Sequence, residues 1–215
     1  MRRLIALTLS LAVSSAWAGA QVEEQLSASV VSSLQRAVAD TAAPRLVFDN
    51  EADAQAWLGE MSRRLEKRMP DPEVRRQFLT TVQYEASRAG LDPQLVLGLI
   101  QVESGFKKYA VSEVGARGFM QVMPFWVRSI GTPEQNLFHL RTSLRYGCTI
   151  LRHYVDIEKG NLFRALGRYN GSLGRPEYPN MVLAAWKRYW NYPTQTASAA
   201  GVPVAGSPAA GGPHA

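Results

Sequence analysis

Cysteine is almost absent. Cys148 is the only one in 215 residues, so no internal disulfide is available and the fold rests on packing alone. A lone Cys within a helical pattern reads as a small buried hydrophobe before it reads as a catalytic thiol. Histidine is scarce as well. His139, His153 and His214 show no metal-ligand spacing such as H-x-x-x-H, so neither a metal nor a cofactor is expected. No apolar run after the first residues approaches the roughly 20 that a membrane-spanning helix needs. Strand-like alternation of apolar and polar residues is missing. The stretch from Pro193 to Ala215 lacks Lys, Arg, Asp and Glu altogether. It has little to bury, and the expectation for 193–215 is a disordered tail.

What is present begins with an address. Met1-Arg2-Arg3 is positively charged, Leu4 to Val13 is apolar apart from Thr8 and Ser10, and small-x-small cleavage sites follow at Ala16-Trp17-Ala18 and Ala18-Gly19-Ala20. That layout predicts a secretory signal peptide over 1–20 and a periplasmic location. Loss of Arg2 and Arg3 removes two positive charges from the formal +6 and leaves +4. A basic exported chain suits anionic partners such as cell-wall glycan with its carboxylates, and export makes nucleic acid a poor fit. A monomer with a single core is expected.

The remainder reads as helices, and the fold class is all-α. Patterns run from Gln21 to Asp40, from Glu51 to Met69, from Pro72 to Ala89 with Val74, Phe78, Val82 and Ala86 on one face, from Leu137 to Ile157, from Leu162 to Tyr169 and from Met181 to Trp190. Gly171, Gly174 and Pro176 mark Asn170 to Pro179 as a loop. The sharpest start is Asp92-Pro93, a cap followed by a proline in the first helical position. From there Val96, Leu99, Ile100 and Glu103 fall at i, i+3, i+4 and i+7, on one helix face. Gly105 closes the helix.

Glu103 is the informative residue. A carboxylate on a buried stripe loses hydration, which favours its neutral form. A carboxylic acid that keeps its proton near neutral pH is what glycosidic cleavage asks of a general acid. A structural Glu paired with an Arg would fit the same face.

Three ordered segments narrow the choice: Glu103-Ser104-Gly105-Phe106, then Gly115-Ala116-Arg117-Gly118-Phe119-Met120-Gln121-Val122-Met123-Pro124, then Arg168-Tyr169-Asn170-Gly171. Together they resemble the motifs of the soluble-lytic-transglycosylase (family 1, SLT-type) catalytic domain, over roughly Phe78 to Tyr192. Each segment alone is weak; the three in order are specific. The resemblance implies a lysozyme-like helical catalytic domain over 72–192. The helical N-terminal region over 21–71 lies outside it, and two readings of that region stay open: packing beside the groove to set access, or recruiting envelope partner proteins. The resemblance also implies that Glu103 is the acid/base, that Ser112 lies near the reacting sugar, that Met120 and Gln121 line the glycan groove, that the Tyr169 hydroxyl positions Glu103, and that Asn170 stands on the groove wall. Tyr178 matches a later groove tyrosine. Phe119 for Leu, Arg168 for a small residue, Gly171-Ser172 for a Gly pair and Ser143 for Asn depart from the family's pattern, and none touches the acid. Bland readings stand beside these: Met120, Met123 and Trp126 as core, Tyr169 as a packed aromatic with its hydroxyl on backbone, Ser112 as a turn cap.

The implied activity is cleavage of peptidoglycan glycan strands between MurNAc and GlcNAc with closure of a 1,6-anhydro ring, using one carboxyl. Two other readings remain open. One is a goose-type lysozyme-like hydrolase, with Glu113 or another acid activating water. The other is a non-catalytic wall-binding module.

Overall fold

The computed structural model describes residues 21–193. Residues 1–20, expected as a signal peptide, and 194–215, within the expected tail, lie outside the described residues. Among the described residues there are eight helices, α1 (Ala28–Ala39), α2 (Glu51–Leu65), α3 (Pro72–Arg88), α4 (Pro93–Glu103), α5 (Pro124–Ile130), α6 (Leu140–Ile157), α7 (Leu162–Asn170) and α8 (Glu177–Ala185), the last running into a π-helical turn at Trp186–Trp190. Extended pairing is limited to isolated bridges at Val111–Arg117 and Arg117–Val122. No helix among them is long and apolar enough to cross a membrane.

Most starts are capped as the side chains dictate. Ser27, Asn50, Asp71, Asp92 and Asn161 each accept a hydrogen bond from a first-turn backbone N–H, which satisfies donors that a helix cannot pair internally. Pro72 and Pro93 follow their Asp caps directly. Several boundaries differ from the sequence pattern. Residues 21–27 are not helical, α2 ends at Leu65 rather than Met69, α6 begins at Leu140 rather than Leu137, and α8 begins at Glu177, inside the expected loop. On α3, Phe78, Val82 and Ala86 are buried as the spacing predicts, but Val74, in the first turn, is exposed.

α4 lies at the centre. Residues from Pro93 to Ile100 are buried on every side, as is Glu103, so the helix is wrapped by neighbours rather than resting one face on a core. Gly98 allows the closest of these approaches: a Cβ there would sit 2.8 Å from the Trp186 backbone nitrogen and 3.0 Å from its Cα. The N-terminal helices join the same core, through Leu34 and Val38 of α1 and Trp57, Met61 and Leu65 of α2.

A buried ionic cluster fastens that N-terminal region. Glu85 on α3 receives two hydrogen bonds of 2.7 Å from Arg145 on α6 and one of 3.2 Å from Arg88. Arg145 and Arg141 also donate to the Asp40 carbonyl, and Arg88 donates to that of Ala37 at 2.7 Å. These carbonyls close the C-terminal end of α1, where cations are favoured. Cys148 is buried, and burial pushes its thiol well above the ordinary range. It behaves as packing.

Candidate active site

Glu103 is the last residue of α4, and its position is held from both directions. The Asp92 cap and Pro93 fix the start of the helix; at the end the chain turns through Gly105 and Phe106, both with positive φ. The Ser104 hydroxyl, within reach of two carbonyls, lies 2.8 Å from that of Phe119 and 3.2 Å from that of Ile100. The first segment, Glu103 to Phe106, is thereby tied to the second, Gly115 to Pro124. Phe106 is buried with its ring against Phe78 and Trp190.

The Glu103 side chain is 5% exposed. Its Oε1 accepts a 2.5 Å hydrogen bond from the Tyr178 hydroxyl, and its Oε2 is buried without a partner. Burial raises the Glu103 pKa to about 8, and the Tyr178 bond opposes that rise only in part. No cation or second carboxylate contributes to it among the described residues. Desolvation disfavours charge, and the carboxyl keeps its proton at neutral pH. Glu85, the other carboxylate buried among the described residues, fits the structural alternative: it is locked onto Arg145.

The two tyrosines are not placed as expected. Tyr178, expected only as a later groove residue, is the one bonded to Glu103. It is buried and sits in the first turn of α8, because α8 starts just after Pro176. Tyr169, expected to position Glu103, instead donates to the Met120 carbonyl at 2.7 Å. Its ring lies on α7, and from there the hydroxyl meets the backbone of the second segment. Burial, then the nearby charge of Glu103, pushes Tyr169 well above its ordinary range. Burial first, then Glu103, does the same to Tyr178. Both hydroxyls stay neutral donors.

Other expected site residues serve the fold. The Met120 side chain is fully buried and packs where Gly147 of α6 leaves room, so it is core rather than groove lining. Only its backbone belongs to the site: the carbonyl takes the Tyr169 hydroxyl, and the N–H donates to the Ser143 hydroxyl at 3.3 Å. The Gln121 amide nitrogen is spent on the carbonyls of Ala110 and Gly118, at 3.1 and 3.0 Å. That staple holds Gln121 at positive φ. Ser112 accepts from the Ala116 N–H at 3.0 Å, the turn-capping role. Asn170 is buried at the end of α7 with its Oδ1 unpartnered. Trp126 is buried and Met123 half-buried.

Sequence reasoning missed one residue outright. Gln21, in the irregular segment before α1, is buried with its amide between Gln121 and Met123. No motif covers it, and only the fold brings it there.

The family model described as the transglycosylase SLT domain matches residues 80–179. This span holds Glu103, Tyr169 and Tyr178 together. Among curated proteins, the chain is 53% identical over 53 residues to membrane-bound lytic murein transglycosylase C of Actinobacillus pleuropneumoniae, covering 24% of this chain and 14% of that one. It is 31% identical over 119 residues to the transglycosylase of Enterobacteria phage PRD1, covering 50% and 42%. The chain therefore spans less than half the length of these relatives. Among solved structures, an inactive mutant of lytic transglycosylase Slt from Pseudomonas aeruginosa aligns with a TM-score of 0.41 and 23% identity, over 64% of this chain and 26% of that one.

Proposed function

Because the chain carries a transglycosylase SLT domain at residues 80–179, we propose that it is a peptidoglycan lytic transglycosylase, cutting the MurNAc-β-1,4-GlcNAc bond and leaving a 1,6-anhydroMurNAc end. The observation that carries this reading is Glu103: buried, neutral at pH 7, one oxygen on Tyr178 and the other without a protein partner. Oε2 is then the atom that holds the transferable proton.

The geometry supports a one-carboxyl cycle. Glu103 gives its proton to the bridging oxygen, and the bond from that oxygen to MurNAc C1 breaks. Positive charge develops at C1, eased by the sugar's own acetamido oxygen. Glu103, now anionic and steadied by the Tyr178 hydroxyl, takes the proton from the C6 hydroxyl of the same MurNAc. The C6 oxygen closes on C1 and Glu103 is again neutral. The nucleophile is tethered to the reacting carbon, so the closing step is effectively unimolecular and needs no positioned water. A hydrolase would need a second carboxylate to activate water. Glu113, the residue considered for that part, is exposed.

Tyr178 is assigned as the positioning residue for Glu103. The backbone of Met120 to Met123 and the Tyr169 hydroxyl are assigned to the cleft wall. We assign residues 1–20 to export and the enzyme to the periplasm, in keeping with its basic charge. The test is the product. Purified sacculi digested with the protein should yield muropeptides ending in 1,6-anhydroMurNAc by mass spectrometry. Reducing-end MurNAc as the dominant product would make the enzyme a hydrolase.

A further inference from the structure

Gln21 lies in irregular chain before α1, yet it is 4% exposed. Its Oε1 accepts from the Met123 N–H at 3.3 Å, and its Nε2 donates to the Gln121 carbonyl at 3.5 Å. The residue before Gln121 belongs to the same wall, since the Met120 carbonyl takes the Tyr169 hydroxyl at 2.7 Å. Three residues after Gln21, Glu24 pairs with Arg168 at the end of α7 at 3.1 Å. Residues 21–24 are thus strapped between the second segment, through Gln121 and Met123, and the third, through Arg168.

The Gln121 carbonyl and the Met123 N–H form one acceptor and one donor on neighbouring backbone. The ligand chemistry that satisfies both at once is an amide. Gln21 supplies a carbonyl and an N–H on one planar group, and so does the acetamido group of an N-acetylated sugar. Glu103, moreover, is almost fully covered, whereas proton transfer to a glycosidic oxygen requires approach to about 3 Å. Something beside the acid has to give way before a sugar arrives.

We propose that residues 21–24 are an autoinhibitory strap, in which the Gln21 amide occupies the place of a substrate acetamido group until an N-acetylated glycan displaces it. This inference rests on the reading of the site as a glycan cleft. The strap holds the resting enzyme closed, and each incoming glycan binds against it. Apparent affinity is then reduced by the fraction of molecules that are open. Glu24 and Arg168 set that fraction without entering the cleft.

The experiment is titration calorimetry with the N-acetylglucosamine tetramer, in the Glu103→Gln background so that nothing is cleaved. Adding Gln21→Ala should tighten binding about tenfold, as expected if the open form holds about one-tenth of the population. Adding Glu24→Lys instead, which breaks the clamp and leaves the amide in place, should tighten it by a smaller factor. The fully de-acetylated glucosamine tetramer should show no gain from either change. Should Gln21→Ala fail to fold, the Glu24→Lys variant decides alone. Tetramer binding that is unchanged or weakened in the folded strap variants overturns the strap and leaves the glycan cleft standing. No tetramer binding in any variant overturns both.

Discussion

Glu103→Gln keeps the shape of the side chain and an oxygen for Tyr178, and removes one titratable group. Its effect on stability can be worked from the site. The native carboxyl titrates at about 8, against 4.5 when solvated. Between those values the folded chain holds a proton that the unfolded chain has released, so stability falls as pH rises through that window. Below 4.5 both states are protonated and Glu103 imposes no pH-dependent cost. At about 1.4 kcal/mol per pH unit, the loss reaches on the order of 3 kcal/mol at pH 7 and saturates near 5 above pH 8. The amide that replaces the carboxyl titrates nowhere in this range. The wild-type protein and the variant should therefore be closest in stability near pH 4.5, and the variant should gain steadily toward pH 8.5. For a chain of this size, about 3 kcal/mol corresponds to a melting difference of about 6–12 °C. Urea unfolding of both proteins at half-unit pH steps measures the divergence directly. Two curves that run parallel across the window would refute the claim that Glu103 is desolvated and unpaired. The same carboxyl must be protonated to act, so kcat/KM on soluble glycan should decline as pH passes about 8.

Tyr178→Phe removes the one bond that restrains the Glu103 pKa. The alkaline limb of the pH profile should move upward and kcat/KM should fall about tenfold to a hundredfold, the range for a hydrogen bond to a charged group; an unmoved limb would return Tyr178 to the core. Tyr169→Phe leaves the Met120 carbonyl without its donor, and urea unfolding should show a loss of about 1–3 kcal/mol with the limb in place. In Gly98→Ala the new methyl meets the Trp186 backbone at 2.8 Å, so α4 and the π-helical turn must part, at about 1–3 kcal/mol; calorimetry reads it as a lowered Tm. Glu85→Ala strands Arg145 in the interior and should cost about 3–5 kcal/mol, with limited proteolysis opening the chain first near residues 40–50.

The Asp92-Pro93 start, the burial of Val96, Leu99, Ile100 and Glu103, and the turn at Gly105 were all legible, because each is set by neighbours within a few residues. Tyr178 was harder to read. Gly174 and Pro176 look like loop punctuation, and they do precede a loop, but Pro176 is also the residue from which α8 departs, and that shift of a few positions places Tyr178 in the first turn of α8, against Glu103. Met120 and Gln121 were expected to line the groove with their side chains, and both side chains are taken up by packing and by backbone carbonyls. A motif identifies positions, whereas the choice between side chain and backbone depends on what packs behind, here Gly147 and the carbonyls of Ala110 and Gly118. Gln21 left no trace at all, since nothing local distinguishes a glutamine in an irregular segment from any surface residue.

Glu85 and Glu103 show where the limit of local reading lies. Both are glutamates on buried helix faces, in consecutive helices. Arg88, three residues after Glu85, already offers it a partner at 3.2 Å, and no basic residue stands within three positions of Glu103. The larger difference is the element that faces each one. α6 presents Arg145 to Glu85 in a two-point pair, and the carboxylate becomes a fastening for the N-terminal helix. α8 presents Tyr178 to Glu103, a neutral donor that supplies one hydrogen bond and no charge. An arginine in that place would hold the carboxyl ionised and leave no proton to transfer; an apolar residue would leave its anion with nothing to steady it between the two proton transfers. The surroundings of the helix end at Glu103 are therefore decided by α8, and in the proposed cycle the arrival of Tyr178 in its first turn is what lets a buried glutamate serve as both acid and base.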